Sequence, residues 1–177
     1  MLYEIISVLF GALKLLLFKL MYPFRISFKC LPKVNHNLKI VLKTKSKLLL
    51  GKGFRARNNV SFRIYNGGKI VVGDNCFLND NCSINCQESI IFGDNVICGQ
   101  NVMIFDHDHD YRNDINQFVR SEVKIGNNVW IGSNVTILKG VSIGDNVIIG
   151  ANTFVNKNIS NNSVVYCKQE LIVNNRR

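Results

Sequence analysis

Two histidines and three aspartates alternate in the stretch FDHDHDYRND, where Asp106, His107, Asp108, His109 and Asp110 run consecutively. Imidazole has an ordinary pKa of about 6.5, so a histidine accepts a proton at neutral pH and serves as a general base. A neighbouring carboxylate fixes its tautomer and steadies the imidazolium that forms. His107 is the first candidate base and His109 the second, with Asp106, Asp108 and Asp110 as possible orienting groups. Asp106 has a structural reading of equal weight, because Asp74, Asp80, Asp94 and Asp145 recur at the same turn position. Alternating His and Asp also suits a divalent cation. The third histidine of the chain, His36, is remote in sequence, so no metal is expected.

The elements that must position these residues are read from a repeat. Apolar residues fall in triplets with a step of six: Leu50, Ala56, Phe62; Val72, Leu78, Ile84; Phe92, Cys98, Ile104; Ile125, Ile131, Ile137; and Ile143, Ile149, Val155. A six-residue unit is one short strand and a turn with one side chain pointing inward. Three units close a triangular coil, and no coil buries its apolar side alone, so the coils stack. Asn follows three residues after the inward position at 75, 81, 95, 101, 128, 134, 146 and 152. Asn tolerates left-handed backbone, so these are corners.

The rhythm breaks once. Ile104 is inward and His107 stands at the following corner, but the pattern resumes only at Ile125. The expectation is a loop, 107–123, leaving the prism at this corner, with Phe118 and Val119 as its anchors. Long loops in compact folds are disproportionately functional.

This pattern, over roughly residues 48–165, resembles the hexapeptide-repeat acyltransferases, and the His at the start of the loop is similar to the galactoside, maltose and capsule-type O-acetyltransferases. The resemblance implies an all-β fold, a left-handed parallel β-helix, assembled as a homotrimer with active sites between prisms. It implies acetyl-CoA as co-substrate and His107 as base. It also places the pantetheine arm along the later coils, at Ser133, Gly150, Ala151, Asn156 and Lys157, with the Ser133 amide as an oxyanion donor. Trp130 stands outward beside the same edge. A sugar acceptor approaches from the loop side, where Asn79 and Asn85 directly follow inward residues and Asn81 is explained as a corner. One departure concerns the nucleotide end of the cofactor. After NNSVV the family continues with a small-Gly-x-Pro segment, whereas this chain reads YCKQELIVNNRR, leaving Lys168, Arg176 and Arg177 to substitute. The γ-class carbonic anhydrases share the prism, but their zinc needs three histidines on adjacent coils.

Charge is divided unevenly. Residues 1–69 hold 14 Lys and Arg against one acid, Glu4, while the remaining 108 residues hold 8 against 11. The first third is therefore expected to face an anionic partner. Its aromatic residues sit among Leu and Ile rather than in a stacking platform, which favours a lipid surface over nucleic acid. Residues 5–22 are apolar with helical composition, and Glu4, Ser7, Gly11 and Lys14 line one narrow stripe. Three placements are open: an amphipathic helix on the membrane surface, a spanning helix, or a helix packed on this chain or a sister subunit. The preferred division is a membrane-associated amphipathic helix at 1–24, a basic connecting segment at 25–47, the prism at 48–165 and a tail at 166–177. Membrane contact is assigned to residues 1–33, with the protein cytoplasmic and peripheral on the inner face of the cell membrane. The six cysteines form no metal-binding spacing and read as small apolar filler. The functional expectation is O-acetylation of a sugar hydroxyl on a cell-surface polysaccharide or its lipid-linked precursor. N-acetylation of an amino sugar and a non-catalytic membrane scaffold are the alternatives.

Overall fold

A computed structural model describes residues 2–168. Arg176, Arg177 and the rest of the tail beyond residue 168 lie outside the described residues. One helix, α1 (Leu2–Met21), precedes a parallel β-helix of six coils. Its three faces are parallel sheets of six, seven and six strands. The triplets pair in register along each face, as in Val72↔Phe92, Phe92↔Ile125 and Ile125↔Ile143. All fifteen triplet residues are buried.

Two features differ from the sequence expectation. Each six-residue unit buries two side chains rather than one, since the residue two positions before each triplet member is also interior. Leu48, Phe54 and Val60 do this in the second coil, Ile70, Cys76 and Cys82 in the third. In a strand, residues i and i+2 share a face, so both reach the column. Cys76, Cys82, Cys86 and Cys98 are all interior, which fits the filler reading. The second difference is the start of the prism. Residues 25–47 are not a connecting segment. Strands Ile26–Phe28, Lys33–Val34 and Lys39–Leu42 pair with the next coil and form a complete first coil. Its signal is weak because its third inward position, Ile40, is only half-buried, and cations dominate its outer surface.

The corners follow the asparagines. All eight predicted positions have φ between 55° and 63°. Their amides also form ladders between coils: Asn81 Nδ2 donates to Asn101 Oδ1 at 3.1 Å, Asn101 to Asn134 at 2.9 Å and Asn134 to Asn152 at 3.0 Å. A second ladder joins Asn75, Asn95, Asn128, Asn146 and Asn162. Left-handed backbone leaves the side-chain amide of each corner free to meet its neighbour one coil along.

α1 rests on the first coil by its small residues. Ser7, Gly11 and Leu15 are buried, and a Cβ at Gly11 would stand 1.9 Å from the Val34 carbonyl oxygen. Glycine is needed for that approach. Ser7 Oγ lies 2.8 Å from His36 Nδ1, and Lys14 Nζ donates to the Leu38 carbonyl at 2.6 Å. Leu15 joins Ile26 and Val34 in the core, so the helix closes the open end of the column. The stripe of Ser7, Gly11 and Lys14 is thus the docked side, and the aliphatic side is left outward. Among the described residues no helix is long and apolar enough to cross a membrane.

Candidate active site

The break at Ile104 is an antiparallel hairpin, His107–Asp110 against Asp114–Arg120, in which His107 pairs with Arg120 and His109 with Phe118. The prism continues through it without a shift, because Ile90 and Phe92 pair with Val123 and Ile125 on the far side.

Asp106 sits at the root of the hairpin and is fully buried. Its Oδ1 accepts a hydrogen bond from the Gln87 amide at 2.8 Å, and its Oδ2 accepts from Glu88 and Ser89 amides at 2.8 and 2.9 Å. The carboxylate therefore caps the turn of the coil below. The same Oδ1 lies 2.8 Å from His107 Nδ1. Burial alone would raise the Asp106 pKa, but the hydrogen bonds from His107 and from the Gln87 and Glu88 amides outweigh it and hold the carboxyl below its usual range. An ionised carboxylate only accepts, so His107 donates from Nδ1 and keeps Nε2 bare for a proton. Both readings of Asp106 are thus realised at once, turn cap and partner of the histidine. Burial, followed by the charge of Asp106, pushes the neighbouring Cys86 thiol upward.

The His107 side chain is 14% exposed and meets the edge of Phe118, with centroids 5.4 Å apart. Below the hairpin, Gln87 Oε1 accepts from Arg120 Nε at 3.1 Å and from Asn66 Nδ2 at 2.7 Å. This polar tie holds the hairpin's second strand to the coil below. Gln87 and Arg120 escaped sequence reasoning, since neither lies at a repeat-specific position. His109 is different: it is exposed, its Nδ1 lies 2.6 Å from the Ile115 carbonyl, and it tilts on Phe118. Asp108 faces Lys139 at 3.7 Å and Asp110 binds Asn113, so neither orients an imidazole.

The remaining predicted residues divide among edges of the prism. Ser133, Gly150 and Ala151 line a groove of about 410 Å³ with Gly99, Trp130 and Ile148, on the edge between the second and third faces. Here a Cβ at Gly99 would meet the Ser133 nitrogen at 2.7 Å, so the corner admits only glycine. Asn156 and Lys157 line a second cavity of about 350 Å³ at the far end, with Thr153 and Cys167. Asn85 is buried, one coil below Phe105 on the third face, and binds Ser83 through Nδ2. Asn79 is on the edge that carries Ser133, where its Oδ1 accepts from the Asp80 amide. One chain therefore brings together Asp106, His107 and the Gln87 network, with Asn85 on the adjoining strand. It places Ser133, Gly150, Ala151 and Asn79 on a different edge. Among the described residues no cluster of three His, Cys, Asp or Glu side chains is placed to hold a metal ion.

Two family descriptions match the sequence: the hexapeptide repeat of succinyl-transferase over residues 69–105 and the bacterial transferase hexapeptide, six repeats, over residues 122–157. No curated protein matches it. Among solved structures, an N-acyltransferase from Bacillus cereus, AntD, in complex with dTDP and coenzyme A, is 15% identical with a TM-score of 0.71, over 90% of this chain and 88% of that one. A galactoside acetyltransferase in complex with coenzyme A is 26% identical with a TM-score of 0.51, over 77% and 62%. A maltose O-acetyltransferase from Clostridium difficile is 31% identical with a TM-score of 0.48, over 81% and 63%. The chain spans less than two thirds of the length of these last two. Repeat and prism together define the class: a β-helix whose residues 69–105 and 122–157 carry transferase hexapeptide repeats and whose sequence is similar to that of the galactoside acetyltransferase.

Proposed function

We propose that the protein transfers an acetyl group from acetyl-CoA to a sugar hydroxyl, with His107 as general base. The observation that carries this reading is the 2.8 Å contact between His107 Nδ1 and the buried, ionised Asp106, which leaves the other ring nitrogen, Nε2, for the proton. In the reaction, Nε2 takes the hydroxyl proton as the oxygen attacks the thioester carbonyl. The C–S bond then breaks, and the imidazolium returns the proton to the departing thiolate. The Ser133 amide is the proposed donor to the oxyanion, a role worth about 3–4 kcal/mol elsewhere. The coenzyme A held by the galactoside acetyltransferase supports the donor assignment.

His107 and the Ser133 groove lie on different edges of the same chain, which supports a trimer in which one prism offers the histidine and its neighbour the groove. An acceptor that is a cell-surface polysaccharide or its lipid-linked precursor, met at the inner face of the cell membrane through residues 1–33, completes the reading. Purified protein given acetyl-CoA with paired hydroxy and amino sugars is expected to release CoA with the hydroxy acceptor. His107→Ala is expected to slow it about 10²–10⁴-fold. Faster turnover of the amino sugar would establish N-acetylation instead. Equal rates for wild type and variant would remove the catalytic assignment of His107, and no CoA release from either would leave a scaffold.

A further inference from the structure

α1 is amphipathic in an inverted sense. Its small and polar side is spent on the prism, and Leu9, Phe10, Leu13, Leu16, Leu20 and Phe24 are exposed, Leu20 at 77% and Phe24 at 92%. Monomeric soluble proteins seldom leave an apolar surface this continuous uncovered. Around it lies positive charge on every face. Lys33, Lys39 and Lys47 are exposed at the head of a strand on the second, third and first faces, and Arg55 and Lys69 stack one coil above Lys33 and Lys47. Glu4 is the only acid in the first 69 residues.

We infer that this end of the prism docks on an anionic phospholipid bilayer. The helix lies in the headgroup plane with its aliphatic side in the acyl region, the lysines of the first two coils meet lipid phosphates, and the column stands upright. An apolar face ringed by cations is complementary to acyl chains beneath phosphates. A second copy of so basic an end would repel it. Upright docking fixes a height. His107 belongs to the fourth coil, and three coil spacings of about 4.8 Å plus the helix radius put it about 20 Å from the helix axis. Resting on the proposed acetyl transfer, this selects acceptors whose hydroxyl is carried about that far from the membrane, namely saccharides joined to a lipid headgroup.

The test uses the full chain in flotation with phosphatidylcholine vesicles, with and without phosphatidylglycerol, alongside sedimentation for assembly and CoA release with a soluble acceptor. Wild type is expected to float with the anionic vesicles and to be released by salt. Leu9→Glu with Leu20→Glu is expected to abolish flotation, and Lys33→Gln, Lys39→Gln and Lys47→Gln to weaken it about fivefold each, with assembly and soluble turnover unchanged. No flotation, equal flotation on neutral vesicles, or loss of assembly in the leucine variant would overturn the docking. The last result would make this face a subunit interface. Flotation that survives a failed His107→Ala result would leave the docking standing and remove only the catalytic reading.

Discussion

Asp106 Oδ1 serves two clients, accepting the Gln87 amide at 2.8 Å and the His107 ring nitrogen at 2.8 Å. The carboxylate that closes the corner of one coil is the one that aims the imidazole of the next. Asp106→Asn keeps the volume but loses the acceptor-only character that sets the tautomer. The expected result is a fall in kcat of about tenfold or more, reaching about 10⁴-fold in other carboxylate–histidine pairs, with a smaller change in KM. Steady-state kinetics against the acceptor check it.

The same carboxyl makes stability depend on pH. Its pKa is lower in the folded chain than the ordinary 3.8. A depressed carboxyl contributes stability that is fully present above its unfolded pKa and is lost as pH falls through the folded value. Urea unfolding is expected to show stability declining below about pH 4 in wild type and a shallower decline in Asp106→Asn.

Asn134 holds φ 57° and takes part in two ladder hydrogen bonds. Asn134→Ala strains the corner and removes both bonds, so a loss of about 1–3 kcal/mol in chemical denaturation is expected. Asn134→Gly relieves the backbone strain and should recover part of it.

Gly11 is where α1 meets the Val34 carbonyl. Gly11→Leu is expected to lift the helix from the first coil while the later coils stay folded. Limited proteolysis would then cut near Pro23 in the variant well before wild type.

Burial raises the thiol pKa of Cys76 and Cys82 to about 11 and pushes Cys86 and Cys98 further up. Cys30 and Cys167 are exposed. Alkylation at mildly alkaline pH is expected to label these two rapidly and the four interior thiols only on unfolding, as read by mass spectrometry.

The sequence made the prism legible because its signal repeats: Ile131 and Asn134 each have counterparts on every regular coil, and errors at one unit are corrected by the next. The first coil lacked that support, since Ile40 and Leu42 sit under a half-covered end rather than between coils. His107 stood out because it breaks a pattern, taking a corner where Asn is usual, and Asp106 drew notice only as its neighbour. Gln87 and Arg120 did not stand out, because their meeting depends on how a hairpin folds back across an edge, which no periodicity encodes. The placement of α1 stayed open for a related reason. Ser7 and Gly11 mark a stripe, but only the Val34 carbonyl beneath them shows what it meets.

Coils four and five are bonded as though the hairpin between them were absent: Phe92 meets Ile125, and Asn101 meets Asn134. The scaffold's strength is therefore indifferent to what is written in the excursion. Mutation is free to rewrite the hairpin's outer residues without disturbing the column, so long as the one aspartate at its root continues to close the wall.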